Sequence, residues 1–195
     1  MNVWYLSYGS NLSSERFLCY IYGKIPEGSM EAELGCLDKT HPKATAKMEI
    51  SYPLYFSKER SKWGEGGVAF IDHEPVEHEV TIGRKFLITA EQFKEIVAQE
   101  NNETNLHINL EAVMNKGFAK ITDGWYGRII YLGDKDGAPI FTFTSNTPMS
   151  EQKIKEPAQP YVKTIASGLM ELGLSQEEVR SYLKEKRGGV DPFKR

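Results

Sequence analysis

Glu100 sits where a helix should bury an apolar side chain. On the helix that starts at Ala90, Phe93, Ile96 and Val97 form the apolar face, and Glu100 follows them by seven, four and three residues. Its carboxylate therefore continues the buried stripe. A carboxylate drawn into apolar surroundings holds its proton more tightly and can exchange it near neutral pH. The same spacing fits a helix that ends at Glu100 and turns the carboxylate to water. Periodicity alone does not separate the two. Far upstream, Tyr8-Gly9-Ser10-Asn11 ends a hydrophobic run just before a helical pattern begins. Gly9 permits a tight turn and a close approach of a ligand to the main chain. Ser10 and Asn11 are competent helix caps, and first-turn amides favour an anionic or carbonyl oxygen. A capped strand–helix junction explains these four residues equally well.

Other groupings of reactive residues fail on spacing. His73-Glu-Pro-Val-Glu-His78 has Glu77 where a zinc-protease helix needs its second histidine, and Pro75 disfavours a continuous helix. A loop between two strands fits it better. Gly64-Glu-Gly-Gly67 follows the charged Lys58-Glu-Arg60 and leads into a strand, so the helix N-terminus that would hold a phosphate is missing. No GxSxG elbow surrounds Ser10, and neither Cys19 nor Cys36 has a base beside it in sequence. No metal site, no cofactor and no nucleophilic hydrolase is expected from these residues.

Strands and helices must bring the remaining candidates together. Residues 3–8 alternate as a strand, with Trp4, Leu6 and Tyr8 on one face and Val3 and Tyr5 on the other. Ser13 to Tyr22 is helical, with a stripe of Phe17, Leu18, Ile21 and Tyr22 that Gly23 stops. Strands are predicted at Glu31–Leu37, Glu49–Phe56, Gly67–Ile71 and Glu79–Ile88, with a charged loop over Ser57–Gly66. Thr89-Ala-Glu-Gln92 is a capping box, as is Ser175-Gln-Glu-Glu178. Between them lie a short helix at Leu110–Asn115, two strands (Tyr126–Leu132 and Pro139–Thr144) joined at Asp136-Gly137, and an amphipathic helix carrying Val162, Ile165, Leu169 and Leu172. The order implies a single α+β domain over residues 1–187, with a mostly antiparallel, mixed sheet curled into a small barrel between flanking helices. Residues 188–195 read as a mobile C-terminal tail.

Composition sets the outer bounds. The 195 residues suit one substantial domain, and 40% hydrophobic with 26% charged residues is ordinary for a globular protein. A net charge of −3 gives no sign of a nucleic-acid-binding surface. No apolar run approaches the roughly 18 residues of a spanning helix, so no membrane partner is expected. Two cysteines without CxxC spacing read as reduced thiols in a cytoplasmic protein. Exposed strand edges make a homodimer conceivable.

Tyr8-Gly9-Ser10-Asn11-Leu12 at the end of the first strand resembles the signature of the γ-glutamylcyclotransferase-like family. Later features follow the family order: Gly67-Val-Ala-Phe-Ile71, Thr81-Ile-Gly83 with Phe86-Leu-Ile88, and Glu100 at the far end of the next helix. Gly124-Trp-Tyr126 and the helical run Glu156 to Leu174 resemble its closing elements. Two departures stand out: Asn101 replaces the glycine usual after the glutamate, and a long insertion, Asn101–Asp123, precedes Tyr126. The resemblance implies cyclisation of a small γ-glutamyl amide to 5-oxoproline with release of the amine, without metal or cofactor. Glu100 would be the general acid and base; Leu6, Ser7, Tyr8, Gly9, Ser10, Asn11 and Tyr126 would bind the substrate. A non-catalytic, ligand-binding relative and another amide or acyl transfer through the same glutamate remain open at this point.

Overall fold

Strand β1 (Asn2–Ser7) alternates as its sequence dictates. Trp4 and Leu6 enter one hydrophobic core, and Val3 and Tyr5 enter another on the opposite face. A strand buried on both faces must be covered on both, and the rest of the chain supplies the cover. The computed structural model describes residues 1–27, 32–104 and 106–194. After β1 come α1 (Ser14–Tyr22), β2 (Ala44–Ile50), β3 (Leu54–Ser57), β4 (Arg60–Ser61) and β5 (Gly64–Glu65). Next are β6 (Val68–Ile71), β7 (Thr81–Thr89), α2 (Ala90–Glu100), α3 (Leu110–Lys116) and β8 (Phe118–Lys120). The chain closes with β9 (Arg128–Lys135), β10 (Ala138–Thr144), α4 (Gln159–Glu171) and α5 (Gln176–Glu185).

Six strands form the main sheet in the order β2–β7–β1–β10–β9–β8. All neighbours run antiparallel except β1 and β10, which are parallel. The expected barrel does not form: β2 and β8 are free edges of an open sheet, and β3 with β6 makes a separate two-stranded ribbon. Closure is unnecessary because other elements bury both faces. Helices α1, α2 and α3 cover one face, while the β3–β6 ribbon, α4 and α5 cover the other. The result is a mixed α+β fold with a mostly antiparallel sheet.

Local signals explain most boundaries. Thr89 and Ser175 each make the full reciprocal capping box, and Ser13 caps α1 through the amide of Arg16. Asp136 and Gly137 both take positive φ, 52° and 75°, as a tight turn between β9 and β10 requires. Three expectations fail for local reasons. The single strand expected over Glu49–Phe56 breaks at residues 51–53, where Pro53 cannot donate to a ladder. Leu18 and Tyr22 are only partly buried on α1; Arg16 and Tyr20 take the inward positions beside Phe17 and Ile21. The strand expected at Glu31–Leu37 is absent over residues 32–37, and Glu31 lies outside the described residues.

That last segment is tied down by the Lys24 and Ile21 carbonyls, which accept from the Glu33 and Cys36 amides, and by side chains. Gly35 has φ +79°, and its amide donates to Gln99 Oε1 at 2.9 Å, while the Leu37 amide donates to Glu95 Oε2 at 3.0 Å. Glu33 binds Arg16 at 2.6 Å and Lys62 at 2.7 Å, linking the segment to α1 and to the β4–β5 hairpin. The C-terminal stretch is likewise docked. Phe56 donates its amide to the Arg187 carbonyl, Arg180 pairs with Asp191, and Phe193 packs against the core. The residues expected to form a mobile tail are thus placed against the domain through Asp191 and Phe193; Arg195 lies outside the described residues.

Two constraints can be measured. Gly168 on α4 abuts the turn after β1, where an added Cβ would collide with the backbone of Leu12 and Ser13. Gly168→Ala should cost about 1–3 kcal/mol in urea unfolding, the range for overpacking; an unchanged midpoint would show that the contact relaxes freely. Burial pushes the Glu33 carboxyl up, but Arg16 and Lys62 together outweigh it and hold the group below its ordinary 4.5. A depressed carboxylate stabilises the fold above its unfolded pKa and loses that contribution as pH falls through the lower folded value. Between pH 5 and 3, wild type should therefore lose more stability than Glu33→Gln; equal losses would mean the pair contributes nothing.

Candidate functional site

At the C-terminal end of β1 the chain enters a 3-10 turn, Ser10–Leu12, before α1 begins. Ser13, not Ser10 or Asn11, caps α1. Asn11 is thereby freed for a longer reach. Its Nδ2 donates to Glu100 Oε1 at 2.9 Å and to the Tyr5 hydroxyl at 3.3 Å. Asn11 is buried; Glu100, the last residue of α2, is half-buried. The two ends of the site thus touch directly.

They share one cavity of about 920 Å³. Ser7, Tyr8, Gly9, Ser10, Asn11, Glu100 and Tyr126 all line it, so seven of the eight sequence candidates come together. Leu6 does not. It points away into the core, where its side chain packs against the Cα of Gly83. The alternation of β1 explains this: Tyr5 and Leu6 cannot both face the same side.

Phenols dominate the walls. Burial raises the pKa of Tyr5, Tyr20 and Tyr126, and the nearby Glu100 carboxylate adds to the rise. Burial and the same carboxylate push Tyr161 up to about 12, although the Ala69 amide counteracts them. All four hydroxyls keep their protons at neutral pH and face the cavity as neutral groups. Tyr8 and Tyr126 spend theirs on backbone carbonyls, of Phe143 at 2.7 Å and of Ala69 at 3.1 Å. The Ala69 amide in turn donates to Tyr161 at 3.0 Å, so the start of β6 is held from both sides. Gly9 is not in a left-handed conformation; its requirement is steric, because a Cβ would lie 3.0 Å from the Tyr161 hydroxyl.

The insertion does not displace Tyr126, because Asn101 clamps it. The Asn101 side chain accepts from the Tyr126 amide at 3.0 Å and donates to the Tyr126 carbonyl at 3.2 Å. The same Nδ2 satisfies the Val97 carbonyl at the end of α2. Gly124 makes room for this clamp, since any Cβ there would strike Asn101. Within the insertion, α3 and β8 extend the second core and one sheet edge.

Several cavity residues were not foreseen. Tyr20 lines the cavity from α1, and Arg16, four residues earlier and outside the lining, donates to the Tyr20 hydroxyl at 2.8 Å. Trp63 and Lys62 come from the β4–β5 hairpin within what reads as a charged loop. Tyr161 had only an apolar neighbourhood to mark it. His73–His78 lies in the loop between β6 and β7, with His73 Nε2 at 2.9 Å from the Ser145 carbonyl. Among the described residues no three His, Cys, Asp or Glu side chains cluster as metal ligands, Cys19 and Cys36 are buried free thiols, and no helix is long and apolar enough to cross a membrane.

No family model matches the sequence. Over 94% of its length the chain is 35% identical to part of Histone deacetylase 5 from Arabidopsis thaliana, and it spans 30% of that protein. Among solved structures it is similar to a gamma-glutamyl cyclotransferase, with a TM-score of 0.55 and 16% identity, over 96% of this chain and 89% of that one. An uncharacterized protein from Homo sapiens is similar at a TM-score of 0.54 and 18% identity, over 95% of this chain and 88% of the other. At such identities the likeness concerns architecture: the chain has the gamma-glutamyl cyclotransferase fold.

Proposed function

We propose that the protein is a γ-glutamylcyclotransferase-type enzyme, closing a γ-glutamyl amide to 5-oxoproline and releasing its amine. The observation that carries this reading is the 2.9 Å contact between Asn11 and Glu100 across a single cavity. The substrate's α-amine and γ-carbonyl belong to one molecule, so catalysis needs folding and proton management more than a covalent intermediate. Glu100 takes a proton from the α-ammonium, and the freed nitrogen attacks the γ-carbonyl carbon. As the tetrahedral centre collapses, Glu100 passes its proton to the departing nitrogen and the old C–N bond breaks. Glu100 then takes the second proton from the ring nitrogen and hands it to the released amine, which leaves as an ammonium. Main-chain amides of Ser7–Asn11 hold the glutamyl group and its developing oxyanion. Tyr8 and Tyr126, whose hydroxyls are tied to backbone, form rigid walls around it. The amine half extends toward Lys62, Trp63 and Trp125, which line the same cavity. The buried, unpaired Cys19 and Cys36 support a cytoplasmic setting.

Release of 5-oxoproline from a panel of γ-glutamyl amino acids and amines tests the reaction. Wild type should turn over at least one member, and Glu100→Gln should slow it by roughly a hundredfold or more, the range for losing a general acid–base. Binding of γ-glutamyl amides without any release would favour a ligand-binding role. Full activity in Glu100→Gln would remove the glutamate from the mechanism. Trp63→Ala should raise KM for amides with bulky amine halves while leaving small ones near wild type; a uniform effect would mean that the amine half lies elsewhere.

A further inference from the structure

A cavity of about 920 Å³ lies toward the upper end of the range for small-molecule sites, so it leaves room beyond a glutamyl group. Two indoles line it from different elements. Trp63 comes from the turn between β4 and β5 and meets the Tyr161 ring at 5.5 Å between centroids. The Tyr161 hydroxyl in turn stands against Gly9. Trp125 immediately precedes Tyr126, whose backbone Asn101 grips beside Glu100. Trp125 is 41% exposed, and Lys58, which does not line the cavity, sets its ammonium 5.8 Å from the Trp125 ring centre. One indole thus stands one ring away from Gly9, and the other one residue from the tyrosine tied to the end of α2. The charges point the same way. Among the described residues lining the cavity, the charged ones are Glu33, Lys62 and Glu100. The Lys62 ammonium already lies 2.7 Å from Glu33 Oε1, which Arg16 also holds at 2.6 Å. A carboxylate on the amine half would therefore meet two carboxylates and an ammonium that is paired.

We propose that the amine half of the substrate is a flat, apolar group without a carboxylate: Trp63 and Trp125 receive it, and Glu33 withholds Lys62 from any acid it brings. This rests on the cyclotransferase reading of the site. Indoles offer a large, rigid area to an aromatic ring, and such pairs attract beyond simple burial. Exclusion matters as much as attraction. A carboxylate drawn into the cavity without a free partner weakens binding, and discrimination is a difference between two affinities.

γ-Glutamyl-phenethylamine and γ-glutamyl-phenylalanine share a ring and differ by one carboxylate. Wild type should show kcat/KM about tenfold or more higher for the phenethylamide than for the phenylalanine conjugate or for γ-glutamyl-ethylamine, the scale of one aromatic contact or one unpaired charge. Trp125→Ala, at an exposed position, should raise KM for the phenethylamide more than for the ethylamide. Glu33→Gln should narrow the gap between phenethylamide and phenylalanine conjugate, because Lys62 loses its carboxylate partner. Lys62→Met should not widen that gap; a wider one would show that Lys62 already receives the acid, and would refute the proposal. A wild-type preference for the phenylalanine conjugate, or for the cationic γ-glutamyl-cadaverine, would overturn it, as would an unchanged gap in Glu33→Gln or an equal KM effect in Trp125→Ala. If wild type releases no 5-oxoproline from any conjugate, the cyclotransferase reading fails on its own. The ligand class is then judged by calorimetry on the wild-type protein. Tighter binding of the phenethylamide than of the phenylalanine conjugate supports it, and equal, reversed or absent binding refutes it.

Discussion

A single side-chain contact holds the candidate site together: the Asn11 amide donating to Glu100 Oε1 at 2.9 Å, between residues 89 apart in sequence. Neither residue could make it from its own element. Asn11 must sit on a 3-10 turn that stops short of α1, and Glu100 must be the last residue of α2. The turn is fixed by β1 in the middle of the sheet, and α2 is fixed because β7, the antiparallel neighbour of β1, runs straight into it through the Thr89 cap. Hydrogen-bond partners 2.9 Å apart tolerate little slippage, so the register of β1 against β7 is in effect part of the site.

Around that contact the cavity walls combine aromatic rings with polar side chains. Buried tyrosines provide area and protonated hydroxyls, and two of those hydroxyls anchor backbone instead of waiting for a ligand. Asn101 shows how a long insertion can be accommodated beside a proposed catalytic group. By gripping both backbone groups of Tyr126, it returns the chain to the cavity after α3 and β8 have left it. The insertion thus adds sheet edge and core, and its first residues, Asn101 and Asn102, line the cavity beside Glu100. Asn102 and Thr104 of the insertion, with Trp125 just after it, line the same cavity, and under the proposed reaction they would bear on selectivity for the amine half.

Much of this was legible in the residues, and the failures have physical causes. Capping boxes at Thr89 and Ser175, the Asp136-Gly137 turn and the two faces of β1 are local features, set by side chains within a few residues, and they read correctly. The placement of Ser7–Asn11, Glu100 and Tyr126 on one cavity also followed from the resemblance, although their chemical roles rest on the proposal. Long-range facts did not read. The parallel pairing of β1 with β10 and the open sheet depend on partners more than a hundred residues away. Residues 32–37 look like a strand but bond instead to the Lys24 and Ile21 carbonyls and to the side chains of Gln99 and Glu95. Leu6 was assigned to the site by neighbourhood, against the alternation that sends it to the core. Tyr20 and Arg16 were hidden because a helix packed on two sides buries a wider arc than an apolar stripe suggests.

The central claim is that the turn after β1 and Glu100 form one site shaped for a glutamyl group closing on itself. The most direct measurement is a structure of the wild-type protein with 5-oxoproline bound. The account predicts the lactam carbonyl against the main-chain amides of Ser7–Asn11 and the ring N–H directed at the Glu100 carboxylate. A 5-oxoproline molecule bound with its ring N–H turned away from Glu100, or bound outside this cavity, would contradict it.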